Sequence, residues 1–275
     1  MKRDRLAERL AALGSRPGLV AFACGGDPSP ELGPRILAAM VKGGADLIEV
    51  GVPFSDPMAD GPSIQAGNRR ALSAGTTLRG VLDLVARFRR DDDATPVVLM
   101  GYANPVLAFG IDRFAVAAAR SGVDGVILVD VPPEESAPFL GPVRRAGLHW
   151  IRLATPTTDD RRLPHILSDA SGFLYHVAVA GVTGVKSAPE AQVAAAVAQL
   201  KAATVLPVAV GFGVRTPAHA RTVARHADLV VVGSAVVDVI GNAHARGAND
   251  IPGEVERFVA SLAEAVRTAR PEVVA

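Results

Sequence analysis

A chain of 275 residues, 49% of them hydrophobic, has enough apolar surface for one large core or two small ones. Its formal net charge of +1, from 29 Lys+Arg against 28 Asp+Glu, sets up no long-range field toward nucleic acid or an anionic membrane. The single cysteine, Cys24, excludes an internal disulfide and a cysteine metal cluster, and the longest apolar run is broken by Gly233, Ser234 and Asp238, short of the roughly 20 residues of a membrane span.

From the N-terminus, the charged Met1-Lys2-Arg3-Asp4-Arg5 leads into Leu6, Leu10 and Leu13, the spacing of a short amphipathic helix and not of a signal-peptide core. A cytoplasmic location is expected, with residues 1–14 capping one end of the fold. Residues 19–23 read as a strand stopped by Gly25-Gly26-Asp27-Pro28, and 31–43 as a helix stopped by Gly43-Gly44. The unit then repeats. Strand-like runs end near Val50, Met100, Val129, Leu153, His176, Val210 and Val232, and helices are predicted over 77–90, 111–121, 134–146, 158–170, 189–203, 217–225 and 253–270. The strand runs are continuously apolar, as in parallel strands covered on both faces. Eight such units with no break in composition predict one α/β domain over 1–275, a (β/α)8 TIM barrel; an open doubly wound sheet is the alternative.

One loop is longer than the rest. Glu49-Val50-Gly51-Val52-Pro53-Phe54-Ser55-Asp56-Pro57-Met58-Ala59-Asp60-Gly61 follows the second strand and precedes an extra helical stretch over 63–73. Prolines 53, 57 and 62 fix φ along it, and in a barrel it lies on the face where chemistry gathers. Burial at a strand end raises the pKa of Glu49, which suits a group that gives and takes a proton near neutrality, while Asp60 on the loop is placed to stay ionised and accept a hydrogen bond. Two structural readings compete: Glu49 in a salt bridge inside the barrel, and Asp60 capping the helix near Ser63. Asp56 is expected to bond loop backbone in an Asx-type turn.

Three late turns are glycine-rich: Gly181-Val182-Thr183-Gly184, Gly211-Phe212-Gly213 and Gly233-Ser234. Glycine lets backbone N–H groups approach an anion, and this fold places phosphate after its last two strands, often at a short extra helix, here expected over 234–240. Lys186 and Arg215 lie near these turns and read as solvated. Six histidines are scattered with no HxH, HExxH or CxxC spacing, so no metal is expected, and His176 at a strand end reads as a packing residue. No GxSxG elbow and no strand lysine occurs, which leaves carboxylate proton transfer and a phosphate anchor.

With Pro62-Ser63-Ile64-Gln65 after it, the Glu49 stretch resembles the signature of the tryptophan synthase alpha subunit family. The likeness continues in Tyr102-Ala103-Asn104-Pro105, Asp130-Val131-Pro132, Glu134-Glu135-Ser136 and the glycine turns, over nearly the whole chain. It implies a lyase of tryptophan biosynthesis that cleaves indole-3-glycerol phosphate to indole and glyceraldehyde 3-phosphate by a retro-aldol step. The implied partner is a pyridoxal-phosphate beta subunit in an α2β2 heterotetramer, with no cofactor in this chain itself. By the same resemblance Glu49 is the acid/base, Asp60 holds the indole N–H and Tyr175 assists at the glycerol hydroxyls. Phe22, Ile64, Met100, Ile127 (or its neighbour Leu128) and Phe212 wall the indole, Gly184, Gly211, Gly213, Gly233 and Ser234 take the phosphate, and Thr183 belongs to a closing loop. Cys24 departs from a common threonine, and Ala178-Val179 from a common serine that precedes that loop, a change expected to weaken loop closure. A stand-alone lyase and a phosphate-binding barrel without turnover are the alternative functions.

Overall fold

The computed structural model describes residues 3–177, 189–211 and 213–270. Among them nine parallel strands form one sheet: β1 (Gly18–Cys24), β2 (Leu47–Gly51), β3 (Val97–Gly101), β4 (Gly125–Leu128), β5 (His149–Trp150), β6 (Arg152–Ala154), β7 (Leu174–Val177), β8 (Val208–Gly211) and β9 (Leu229–Val232). Their lateral order is β5-β4-β3-β2-β1-β9-β8-β7-β6. The two ends of that order, β5 and β6, are separated in the chain by Ile151 alone. They are the halves of one barrel strand, so the sheet wraps round to meet itself and the expected eightfold barrel is the fold. Ile151 N–H still donates to Val126 carbonyl at 3.0 Å, so the break does not open the wall.

Side-chain direction follows the period of two along each strand. Val20, Leu47, Val98, Ile127, Ile151, Tyr175, Ala209 and Val231 share an inner cluster, whereas Leu19, Ile48, Val50, Leu99, Val126, Leu128, Leu174 and Val210 belong to the outer cluster beneath the helices. Both faces of every strand are thus buried, which is why the sequence shows unbroken apolar runs. The first helix, Arg5–Leu13, starts at Asp4, whose carboxylate accepts from Ala7 N–H, and drives Leu6 and Leu13 into the inner cluster. The spacing of its leucines predicts this amphipathic helix, and their burial in the inner cluster sets it against the N-terminal ends of the strands.

The N-terminal mouth of the barrel is fastened by a device used three times. Asp46 N–H donates to Leu19 carbonyl while its carboxylate accepts from Leu19 N–H at 2.9 Å; Asp124 does the same with Val97, and Asp228 with Val208. Each carboxylate also takes a cation: Arg16 for Asp46, Arg5 and Arg89 for Asp124, Lys201 for Asp228. The short sequences Ala45-Asp46-Leu47, Val123-Asp124-Gly125 and Ala227-Asp228-Leu229 carry this repeat, just before β2, β4 and β9.

Several helices differ from their sequence-based bounds. The helix expected over 158–170 shrinks to Arg162–Leu167, because Thr155 to Thr158 close a hydrogen-bonded turn and Asp159 caps the start by accepting from Arg162 N–H. The stretch expected as one helix over 134–146 divides into a single 3-10 turn, Pro133–Glu135, and the helix Ala137–Arg145. A helix the periodicity misses, Ala103–Phe109, follows β3; its first N–H is held by Asp130 Oδ1 at 2.8 Å, a contact between residues 27 apart in sequence. The helix expected over 234–240 runs through Gly241 to Ala245. Gly241 does not end it, because its position is packed against Arg70 and so calls for a residue without a side chain.

Candidate active site

The cavity at the C-terminal mouth is lined by Phe22, Glu49, Asp60, Ile64, Met100, Tyr175, Gly213, Val214, Val231, Gly233 and Ser234. Each strand contributes by its pleat. Glu49 lies between Phe22 of β1 and Val98 of β3 in the ladder, and its sequence neighbours Ile48 and Val50 point outward, so its own side chain points into the barrel. There it is 2% exposed. Among the described residues its Oε1 has no hydrogen-bond partner and no cation reaches it. Burial, and next the charge of Asp60, push its pKa from 4.5 up to about 8. No described cation forms the salt bridge that the alternative reading of Glu49 requires, and a pKa of about 8 favours the protonated carboxyl at neutral pH.

Asp60 does not cap the following helix. That helix, Pro62–Ser73, begins at Gly61 without a side-chain cap, and the Asp60 carboxylate instead accepts from Asn68 Nδ2 at 3.0 Å and from the Tyr102 hydroxyl. Tyr102 also accepts from Ala59 N–H at 3.0 Å, which pins the loop that carries Asp60. Burial raises Asp60 to about 6, with the hydrogen bonds from Asn68 and Tyr102 opposing the rise. At neutrality the pair is therefore one proton donor and one anion, in unlike surroundings. Tyr175 is buried, and burial and then Glu49 push its phenol well above its ordinary value, so it is a neutral donor.

The opposite wall is made of backbone. Gly233 precedes the 12-residue helix Ser234–Ala245 and lines the cavity with that helix's first residue, and Gly213 reaches it with φ +84, a conformation glycine adopts without strain. Of the predicted phosphate residues these three, Gly213, Gly233 and Ser234, are brought together. Gly211 is not on the lining: it ends β8, and a Cβ there would overlap the Tyr175 hydroxyl, so its role in the fold is to make room for that ring. Ile127 also lies elsewhere, fully buried in the inner cluster, while Leu128 points to the helix layer and not to this cavity. Phe22, Ile64 and Met100 do form an apolar wall beside Cys24 and Val237. Thr183, Gly184, Phe212, Ala178 and Lys186 fall outside the described residues. Arg215 pairs with Asp238. Asp56 is exposed and accepts from the Ser55 hydroxyl, where a bond to loop backbone was expected. His176, next to Tyr175, points by alternation to the helix layer and is buried there, with burial holding its pKa down. No group of three or more His, Cys, Asp or Glu suited to a metal occurs among the described residues.

Residues 10–267 match the family model described as the tryptophan synthase alpha chain. The chain belongs to the tryptophan synthase alpha chain family. The alpha chain of Rhizorhabdus wittichii is 56% identical over 272 residues, spanning 98% of each chain. Among solved structures, the tryptophan synthase alpha subunit of Legionella pneumophila superposes with a TM-score of 0.89 at 38% identity, covering 96% of this chain and 99% of that one. A structure of the tryptophan synthase α2β2 complex of the hyperthermophile Pyrococcus furiosus, described for its mutual activation, matches with a TM-score of 0.81 at 35% identity over 90% of this chain and 98% of that one. The cavity brings Glu49 and Asp60 together with Gly213, Gly233 and Ser234, residues the sequence already singles out. Asn68 and Tyr102 are found by geometry: Tyr102 stands in a motif the sequence displays, but its contact with Asp60 spans 42 residues of chain and has no local signal.

Proposed function

We propose that this chain cleaves indole-3-glycerol phosphate to indole and glyceraldehyde 3-phosphate as the alpha subunit of an α2β2 tryptophan synthase. The observation that carries the reading is Glu49: a buried carboxyl with no described cation near it, its pKa raised to about 8, lining one cavity with a second carboxylate and the start of a 12-residue helix. Glu49 gives its proton to the indole carbon that bears the glycerol chain. Asp60 accepts from the ring N–H and offsets the positive charge that develops there. Glu49, now ionised, takes the proton of the adjacent glycerol hydroxyl. The carbon–carbon bond breaks, its electron pair returns to the ring, and the hydroxyl carbon leaves as the aldehyde. Tyr175 hydrogen-bonds the glycerol hydroxyls, Phe22, Ile64 and Met100 pack the indole, and backbone N–H groups at Gly213, Gly233 and Ser234 hold the phosphate.

The family membership supports a role in tryptophan biosynthesis, with the beta subunit as partner. A cytoplasmic location and one barrel domain over the whole chain belong to the same proposal. They are supported by the continuous nine-stranded sheet and by the lack, among the described residues, of a helix long and apolar enough to cross a membrane. The test is indole release from indole-3-glycerol phosphate by the purified chain, alone and with a beta subunit. Turnover that rises with the beta subunit supports the reading; turnover indifferent to it supports a stand-alone lyase, and none under either condition refutes both.

A further inference from the structure

Arg70 lies two residues beyond Asn68 on the helix Pro62–Ser73, and residues so spaced point to different sides of a helix. While Asn68 turns to Asp60, Arg70 turns to the loop after β1. Its Nε donates to Asp27 Oδ1 at 2.7 Å and its Nη2 to Asp27 Oδ2 at 2.8 Å, the two-point match of a planar guanidinium with a carboxylate. The Asp27 side chain is 0% exposed. The same Nη2 reaches the Val237 carbonyl at 3.5 Å, inside the helix Ser234–Ala245 that begins at the cavity. On that helix a Cβ at Gly241 would stand 2.9 Å from Nη1 and 3.0 Å from Nη2, so the guanidinium rests directly on its backbone. Gly67 completes the contact: a Cβ there would meet Cys24 Sγ at 2.7 Å and Val237 Cγ1 at 2.8 Å. One side chain therefore ties together the turn after β1, the helix that presents Asn68, and the helix whose start faces the cavity.

We propose that Arg70 is a positioning residue that sets the distance between the two ends of the site, holding Asn68 against Asp60 on one side and the Gly233-Ser234 helix start on the other. The inference rests on the reading of this cavity as an acid/base and phosphate site. A lysine would keep the charge and lose the two-point grip; a glutamine would leave Asp27 buried without a cation. Cys24, Asp238 and His244 are the other titratable groups that act on the Arg70–Asp27 pair, and Glu49, Cys24 and Tyr102 those that act on or through Asp60.

The test uses the full chain with its beta partner and the variants Arg70→Gln, Arg70→Lys and Gly241→Ala. The last displaces the guanidinium without removing it and is favoured by helix propensity alone. Turnover is expected to fall about tenfold to a hundredfold in Arg70→Gln, the scale of a misplacement near 1 Å. It should recover in part in Arg70→Lys and fall in Gly241→Ala without loss of helix content. The titration of Asp60, followed by carbon-13 NMR of its carboxyl, should move to higher pH in Arg70→Gln as the bond from Asn68 lengthens, and inorganic phosphate should bind more weakly in all three. Folded variants with a lower melting temperature but wild-type Asp60 titration and phosphate affinity would make Arg70 a brace only and overturn the proposal. If Arg70→Gln does not fold, the other two variants decide it. If the wild-type complex releases no indole, the functional reading fails, and the Asp60 titration still decides the role of Arg70.

Discussion

The two mouths of this barrel hold the same kind of residue in opposite circumstances. At the N-terminal mouth Asp46, Asp124 and Asp228 each accept a backbone N–H from the neighbouring strand and each meet a cation. At the C-terminal mouth Glu49 and Asp60 have no cation among the described residues, and only the neutral donors Asn68 and Tyr102 reach Asp60. A paired carboxylate is spent on holding strands in register. An unpaired one keeps its proton within reach of neutrality. The fold carries two poorly satisfied acids at one end and three cross-bonded ones at the other, with the apolar inner cluster between them.

The largest effect is expected from Glu49→Gln. It should lower turnover by about 10²–10⁴-fold, the span of lost acid/base catalysis, with substrate binding retained in a calorimetric titration. It should also change how stability depends on pH. An acid whose pKa is higher folded than unfolded favours the fold below the unfolded value and loses that contribution as pH rises toward the folded one. For Glu49 that window runs from 4.5 to about 8, and for Asp60 from 3.8 to about 6. Wild-type melting temperatures should therefore fall across these windows, and in Glu49→Gln the decline above pH 6 should flatten.

At the other mouth, Asp124→Ala leaves Arg5 and Arg89 facing each other with 11% and 8% of their side chains exposed. Denaturant unfolding should show a loss of about 3–5 kcal/mol, while the pH profile of turnover in the surviving enzyme keeps its shape. Asp60→Asn comes next. It should reduce kcat/KM by about one to two orders of magnitude and, by removing a neighbouring negative charge, move the titration of Glu49 to lower pH. The smallest effect belongs to Lys201→Ala: its pair with Asp228 is about one-third exposed on both sides, so the cost in the same unfolding assay should stay below about 1 kcal/mol.

What the sequence makes legible follows the reach of each interaction. The strands were readable because both faces of each are buried, and Glu49 because a charged residue at the end of such a run is conspicuous. The N-terminal helix showed in three leucines. The helix Ala103–Phe109 did not show, since its first N–H is satisfied by Asp130 across space and no local cap announces it. Gly241 misled for a related reason: as a sequence letter it reads as a stop, and only the guanidinium of Arg70 lying against it explains a glycine inside a helix. Gly211 reads as part of a phosphate turn until the Tyr175 hydroxyl is seen to occupy the space of its missing side chain. In the site itself both acids are legible; the groups that tune Asp60, Asn68 and Tyr102, come from a helix face and a distant strand end.

The proposed cleavage requires Glu49 to hold a proton at neutral pH while Asp60 does not. Infrared spectroscopy of the wild-type protein across pH 5–10, with Glu49→Gln as the difference reference, measures this directly. The predicted result is a protonated-carboxyl band that is present at pH 7, vanishes in Glu49→Gln, and titrates away near the value of about 8 set by burial and Asp60. A Glu49 carboxylate already ionised at pH 7 would contradict the assignment of donor and anion on which the mechanism depends.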